Sequence, residues 1–417
     1  MELKIITSAA LAAVATTIAV ASLTARAATA APAAATPKAV VPGAARSAAP
    51  PEDQLTGIVC ETDKNCLAVG SNSTGSWTVP LAVRWNGKAW QPVSVKLPAG
   101  AAAGWLDGVS CPRTAETRCL ATGGFVPQRF AASGDSTGLS DAWNGKAWTP
   151  EPVSGTAGVE LDSVSCLSAT DCLAVGTYES PVRSFSSGLA YRWNGVKWTE
   201  ADPPMPAGGT SQLASVSCTA GPFCIAVGST GDTQLIYRWN GSKWTAMKPA
   251  APKGSYLPAL TGVSCASAKS CVAVGNESSP PGGAFAEAWN GRKWTATAPM
   301  TFQPGTTVPL ATGVSCSSAA YCMAVGIVGQ EPAIIVDMIP FAAASSVWNG
   351  KTWTAATVPA TGHDQQSDFA GVSCLTATFC AAAGDYYPDA LSATSTPTWA
   401  LSGFWDGRRW HLKATPG

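Results

Sequence analysis

Residues 260–275 read LTGVSCASAKSCVAVG and residues 286–294 read AEAWNGRKW, and this layout occurs seven times along a chain of 417 residues. Aligned on the first cysteine, the copies stand at Cys60, Cys111, Cys166, Cys218, Cys265, Cys316 and Cys374, in steps of 47 to 58 residues. A second cysteine follows in each, at Cys66, Cys119, Cys172, Cys224, Cys271, Cys322 and Cys380, which uses all 14. Each copy then runs through a small, β-branched stretch into a glycine and closes on Trp-Asn-Gly-x-x-Trp, changed to Trp-Asp-Gly at Trp405. A period near 50 with four short apolar pieces per copy is the signature of a propeller blade. The expectation is an all-β, seven-bladed β-propeller of four-stranded antiparallel blades, starting near residues 55, 106, 161, 213, 260, 311 and 369.

Within a copy, the first strand ends at the first cysteine and the second begins at the second. The short connection makes a hairpin that sets the cysteines opposite each other, within disulfide reach. No histidine accompanies them and their spacing is too wide for a zinc site. Behind a secretory leader, an even count predicts one disulfide per blade, no metal and no cofactor. The third strand runs into Asn-Gly, read as a tight turn because both residues tolerate positive φ. The two flanking tryptophans should then be structural, each ring packing on the adjacent blade.

Residues 1–27 carry Lys4, an apolar stretch and the small residues Ala25-Arg26-Ala27. This is the pattern of a secretory signal peptide cleaved after Ala27 or Ala30, the alternative being a retained anchor. Residues 28–54, rich in Ala and Pro, read as a flexible linker, and 55–417 as one propeller. The implied location is secreted and extracellular, with the linker long enough to span a cell wall, and the expected state is a monomer. Lys plus Arg and Asp plus Glu balance at 26 each, and charged residues make up only 12%. On that balance the chain has no electrostatic footprint for nucleic acid or an anionic membrane, and neither is expected as a partner.

The order of a glycine-terminated second strand, an aromatic third strand, a turn, a tryptophan and a downstream proline (Ala273-Val274-Gly275, Trp289-Asn290-Gly291, Trp294, Pro299) resembles kelch and galactose-oxidase propellers. The likeness implies the fold and no particular activity. The kelch glycine pair is present only at Gly123-Gly124, tryptophan stands where kelch blades carry tyrosine, and only His363 and His411 exist for copper chemistry.

Function is expected on the face that carries the loops between second and third strands, the variable ones, and the links between blades. Three tryptophans lie outside the repeat positions: Trp77, Trp399 in blade 7, and Trp105, assigned to the link from blade 1 to blade 2. With Tyr386, Tyr387 and Asp385, placed in the blade 7 loop, they form a candidate carbohydrate site of aromatic faces and carboxylates. Against this stands the reading that the three tryptophans fill the seam where the ring closes. An enzyme, a glycoside hydrolase or polysaccharide lyase, would draw on Asp107 and Asp162 with Glu160, or on His363 and Asp364 followed by Asp368. The competing expectation is that each acid is merely solvated or caps a turn. The apolar runs of the sixth loop, Ala333–Val336 and Met338–Phe341, read as a lid or as a patch for an extracellular protein. The sequence thus favours a non-enzymatic recognition module for carbohydrate, with a hydrolase or lyase and a protein-interaction scaffold as alternatives.

Overall fold

The computed structural model describes residues 52–416 except 75–76, 113–117, 132, 154–156, 181–184, 207–208, 232, 251–253, 279–281, 304–305, 331–340, 362–365 and 388–397. The leader and most of the linker therefore lie outside the described residues. The rest forms seven antiparallel sheets, each built from one contiguous stretch of chain in the strand order first, second, third, fourth. In blade 5 these are Ala259–Ser267, Ser270–Glu277, Gly283–Trp289 and Trp294–Ala296. Blade 7 differs in that its first strand is split into Gln366–Ser367 and Gly371–Thr376, both paired with Phe379–Tyr387. The seven bridges form, one per blade, with Cα–Cα distances of 4.0 to 4.1 Å and no free cysteine. Seven disulfides suit an oxidising, non-cytosolic compartment.

One cross-strand row organises every blade. In blade 1, Cys60 is opposite Cys66, Cys66 opposite Trp85, and Trp85 opposite Trp90. The two rings pack at a tilt with centroids 5.7 Å apart, and the equivalent tilted pairs in the other blades lie at 5.2 to 5.8 Å. Both rings pack on the preceding blade, as expected, with Trp85 and Trp90 lying 4.6 and 6.1 Å from the Phe404 ring of blade 7; their indole N–H groups differ. In blades 1, 3 and 5 the first donates its Nε1–H within its own blade, to a carbonyl of the disulfide hairpin: Trp85 to Asp63, Trp193 to Ala169 and Trp289 to Ala268. The second reaches the preceding blade, Trp410 to Ser345 Oγ and Trp90 to Ser402 Oγ, both at 2.8 Å.

The turn between them is also corrected. Only its glycine has positive φ, as at Gly87 (89°) and Gly291 (88°). The asparagine is there for its side chain: Asn86 Oδ1 accepts the N–H groups of Lys88 and Ala89. A carboxylate can do the same, which explains Asp406, whose Oδ1 accepts from Arg408 and Arg409.

First strands of neighbouring blades approach at backbone distance. A Cβ on Gly57 would meet Asp107 O at 2.8 Å, and one on Gly371 would meet Thr56 O at 3.0 Å. The first strand is thus the edge of each sheet and lines the axis, with a row of N–H and C=O groups that no fifth strand pairs. The serine of the Val-Ser-Cys motif satisfies it. Ser110, Ser165, Ser217, Ser264, Ser315 and Ser373 each accept the N–H of the next blade's first cysteine at 2.9 to 3.0 Å. The junction from blade 1 to blade 2 lacks this bond because Val59 stands in the serine's place.

The ring closes without a shared blade. Ser373 accepts from Cys60 N–H, Trp90 donates to Ser402, and Asp53 N–H donates to Thr398 O at 2.9 Å beside a parallel bridge between Glu52 and Thr398. One apolar cluster joins Leu55, Val83 and Trp90 of blade 1 to Ala381 and Ala400 of blade 7.

Ser217→Ala leaves the buried Cys265 N–H without its partner and should cost about 1–3 kcal/mol. Trp244→Ala, which empties an interblade contact, should cost about 3–5 kcal/mol. Midpoints of chemical denaturation under non-reducing conditions check both values and their order.

Candidate functional site at the axial mouth

Each first strand carries a β-bulge at the residue after its leucine or equivalent. Leu55 pairs with Gly70 and Gly57 with Val69, so Thr56 is the extra residue, and the same shift recurs between Leu106 and Gly108 and between Leu260 and Gly262. The bulge presses a carbonyl onto the second strand, where only glycine fits. A Cβ on Gly70 would lie 1.9 Å from Gln54 O, and one on Gly123 2.2 Å from Trp105 O. This is the physical reason for the glycine that ends each small apolar run, and a bulge also re-aims its side chain. In blades 1, 5 and 6 that side chain is a threonine donating to the next blade: Thr56 to Leu106 O at 2.7 Å, Thr261 to Ala311 O at 2.9 Å, and Thr312 to Phe369 O at 2.6 Å.

Blades 2 and 3 place Asp107 and Asp162 at this position. Both keep some residual exposure, yet protein encloses them on all sides at the axis, and that enclosure governs their protonation. Burial, reinforced by Asp162 and Glu160, pushes Asp107 well above the usual carboxylate range, against the opposing hydrogen bond from Trp105. Burial and the neighbouring Glu160 push Asp162 up to about 8, although Thr177 Oγ1 donates to Asp162 Oδ2 at 3.4 Å. Glu160 is itself raised by burial and by Glu179, with a hydrogen bond to Ser136 opposing. These acids are neither freely solvated nor turn caps, so the simpler expectation for them is overturned. These shifts favour the protonated form of both carboxyls, which can donate as well as accept.

Trp105 belongs to the first strand of blade 2, Ala101–Ser110, and not to the link before it. Its indole lies over Gly124, where a Cβ would come within 2.7 Å of Cζ2. The second glycine of Gly123-Gly124 therefore makes room for this ring. Half-exposed, the ring stands two residues above Asp107 toward the variable-loop face.

A second group forms where blade 7 meets blade 1. Asp385, Tyr386 and Tyr387 end the second strand of blade 7, Phe379–Tyr387, and do not sit in a loop. Asp385 N–H donates to Asp368 Oδ1 at 3.0 Å and Asp368 N–H to Asp385 O at 2.9 Å. The two carboxyls share this enclosed place, so burial raises Asp368 to about 6 and burial plus the Asp368 charge drives Asp385 well higher. The Tyr387 hydroxyl bonds to Asp385 and to Thr398, and burial followed by the two acids raises it. Tyr386 points the other way and packs on the core between blades 6 and 7. Trp399 begins the third strand opposite Tyr386 and follows the seam residue Thr398. Trp77 likewise begins a third strand, Trp77–Trp85, rather than lying in a loop. His363, Asp364 and the sixth-loop segment 331–340 lie outside the described residues.

Asp368, expected beside His363 and Asp364, instead meets Asp385 through the split of the blade 7 first strand. Thr398, which the sequence did not single out, is brought in by ring closure, a pattern that is not local. The only clustering of metal-type side chains among the described residues is Glu61 with Cys111 and Cys119, whose sulfurs are tied in a disulfide. A small cavity between blades 3 and 4, bordered by Ser165, Arg192, Cys218 and Trp239, belongs to the other end of the blades.

The folded pKa of Asp162, about 8, lies above its ordinary value of 3.8. The folded chain therefore holds a proton that the unfolded chain releases, and stability falls as pH rises from about 4 to about 8. Thermal melts across this window should show that decline, and Asp162→Asn should flatten it. An unchanged slope in the variant would place the titration elsewhere.

No protein-family model matches this chain, and no curated protein does. Among solved structures it is similar to YCF48 bound to D1 peptide, at 11% identity and TM-score 0.50 over 91% of this chain and 100% of that chain. It is similar to U3-55K at 9% identity and TM-score 0.51, over 85% of this chain and 95% of that one. A PL25 ulvan lyase bound to -[GlcA(1-4)Rha3S]- matches at 10% identity and TM-score 0.50, over 86% of this chain and 95% of that one. At these identities the likeness is one of fold: the chain is a seven-bladed β-propeller.

Proposed function

We propose that the axial mouth on the variable-loop face binds carbohydrate, extracellular or of the cell wall, and that the protein is a non-enzymatic recognition module. The observation that carries this is the half-exposed Trp105 ring, seated on Gly124 beside Asp107 and Asp162. An aromatic face takes the C–H side of a pyranose, and neutral carboxyls exchange hydrogen bonds with hydroxyls in both directions. Tyr387, Asp385 and Trp399 extend the same chemistry along the seam of blades 7 and 1, with Trp77 as a further candidate. The solved propellers include one with a peptide and one with an anionic saccharide, so fold alone does not choose between ligands. The aromatic and carboxyl side chains of the mouth support the carbohydrate reading. A protein-scaffold role rests on segment 331–340. Kinship to the kelch type rests on strand order alone.

A second reading has one specific support. The raised Asp162, next to other acids, suits a general acid of a hydrolase or lyase. Calorimetric titration against neutral polysaccharides and cell-wall fragments, with product analysis of each mixture, separates the readings. Recognition predicts saturable binding without products, weakened about tenfold by Trp105→Ala and largely retained in Trp105→Phe. Released products, abolished by Asp162→Asn, would move the assignment to catalysis. No binding to any saccharide would overturn both.

A further inference from the structure

The neutral total conceals a segregation of charge. Every one of the seven Trp-Asn/Asp-Gly-x-x-Trp turns carries a cation in the two positions before its closing tryptophan: Lys88, Lys146 and Lys351 in the first, Lys197, Lys243, Lys293 and Arg409 in the second. Blades 5 and 7 add Arg292 and Arg408. All are exposed. The turns share one backbone geometry, fixed by the Asn or Asp side chain accepting two N–H groups, so the cations recur once per blade around one face of the ring. The disulfide hairpins of that face add Lys64 and Lys269. Among the described residues its acids are Glu61, Asp63, Asp171 and Asp406. Asp171 pairs with Arg192 and Asp406 with Arg409 and His411, while Glu61 feels Arg84. The six turn lysines have no ion-pair partner among the described residues. The acids Asp53, Asp107, Glu160, Asp162, Glu179 and Asp385 lie toward the opposite face or the axis.

We infer that this hairpin face docks on an anionic lipid surface, with the axial mouth turned away from it. A ring of cations on the flat end of a disc meets a plane of negative charge all at once. A linear polyanion follows a stripe or groove and would leave most of the ring unused. Single-stranded nucleic acid would also need aromatic faces between the cations. The tryptophans of these turns are buried, or half-buried at Trp239, and paired within the blade. Surface lysines contribute additively near an anionic bilayer, about fivefold in affinity each, and the attraction is screened by salt. The expectation drawn from net charge is therefore corrected: charge is distributed by face, and one face is strongly basic.

The test is co-sedimentation of the leader-free protein with phosphatidylcholine vesicles, with and without about one third phosphatidylglycerol, at low salt and at about 0.5 M salt. Binding should require the anionic lipid and be lost at high salt. Replacing the six turn lysines by Gln should abolish it, and a single Lys146→Gln should weaken it about fivefold. These substitutions keep the backbone bonds of the turns, and an unchanged melting temperature confirms the fold. Absence of binding at low salt, or binding unaffected by the sixfold variant, overturns the inference. Binding to soluble polyphosphate or DNA but not to vesicles overturns the lipid surface as the partner.

Discussion

Seven sheet edges meet around one axis, and each exposes a row of backbone groups that the neighbouring edge is too skewed to pair. The fold depends on answering that row with side chains. Serines of one blade accept N–H groups of the next, and threonines at the bulge donate to its carbonyls. Each such bond is worth only about 1 kcal/mol, but an unanswered group in this enclosed place would cost about as much or more. The short repeat Leu-x-Gly-Val-Ser-Cys encodes both answers, with glycine or serine after x where backbones nearly touch. The disulfide and the paired tryptophans then hold the outer part of each blade to this inner edge through one continuous cross-strand row. Each bridge closes a short loop and contributes about 2 kcal/mol on the chain-entropy view.

Departures from that rule mark the mouth. Where threonine gives way to aspartate in blades 2 and 3, a group that would help as a donor is replaced by one that helps only while protonated. Burial of Asp107, Glu160 and Asp162, with repulsion from neighbouring acids adding to it, favours that protonation. Where the first strand of blade 7 breaks, Asp368 enters against Asp385 and repeats the same compromise at the closing seam. A repeat scaffold has no structural need for acids in two of seven equivalent positions. Their placement beside the half-buried ring of Trp105 is the strongest reason to read the mouth as functional.

Much of the scaffold was legible in the sequence because its signals are local. Cysteines six residues apart and Trp-Asn-Gly-x-x-Trp each lie within one hairpin, so spacing alone fixes who faces whom. The hydrogen bond from the closing tryptophan to the preceding blade was not legible, since Trp410 and Ser345 are 65 residues apart and meet only when blades dock. The serine ring escaped for the same reason: in one strand Ser217 looks like an ordinary polar position, and its role appears only against Cys265 of the next blade. Trp105 was misplaced because Ala101-Ala102-Ala103 does not announce a strand, although Gly124 had already been noted as unusual. Asp107, Asp162 and Glu160 were found, but their solvation was misjudged, because burial at an axis is set by seven blades and not by the flanking residues.

Charge shows the same limit in another form. A sum over the chain reads zero, yet the repeat places a lysine or arginine at one of two adjacent turn positions in every blade while acids collect toward the other end. Selection for solubility alone would be met by charges of either sign at those turns. Using one sign seven times yields a field with a direction, and a disc with a directed field lands on a charged plane in one orientation. If the acidic mouth faces away from that plane, the two faces have complementary tasks: one sets where the propeller sits, and the other is left free to select what it binds.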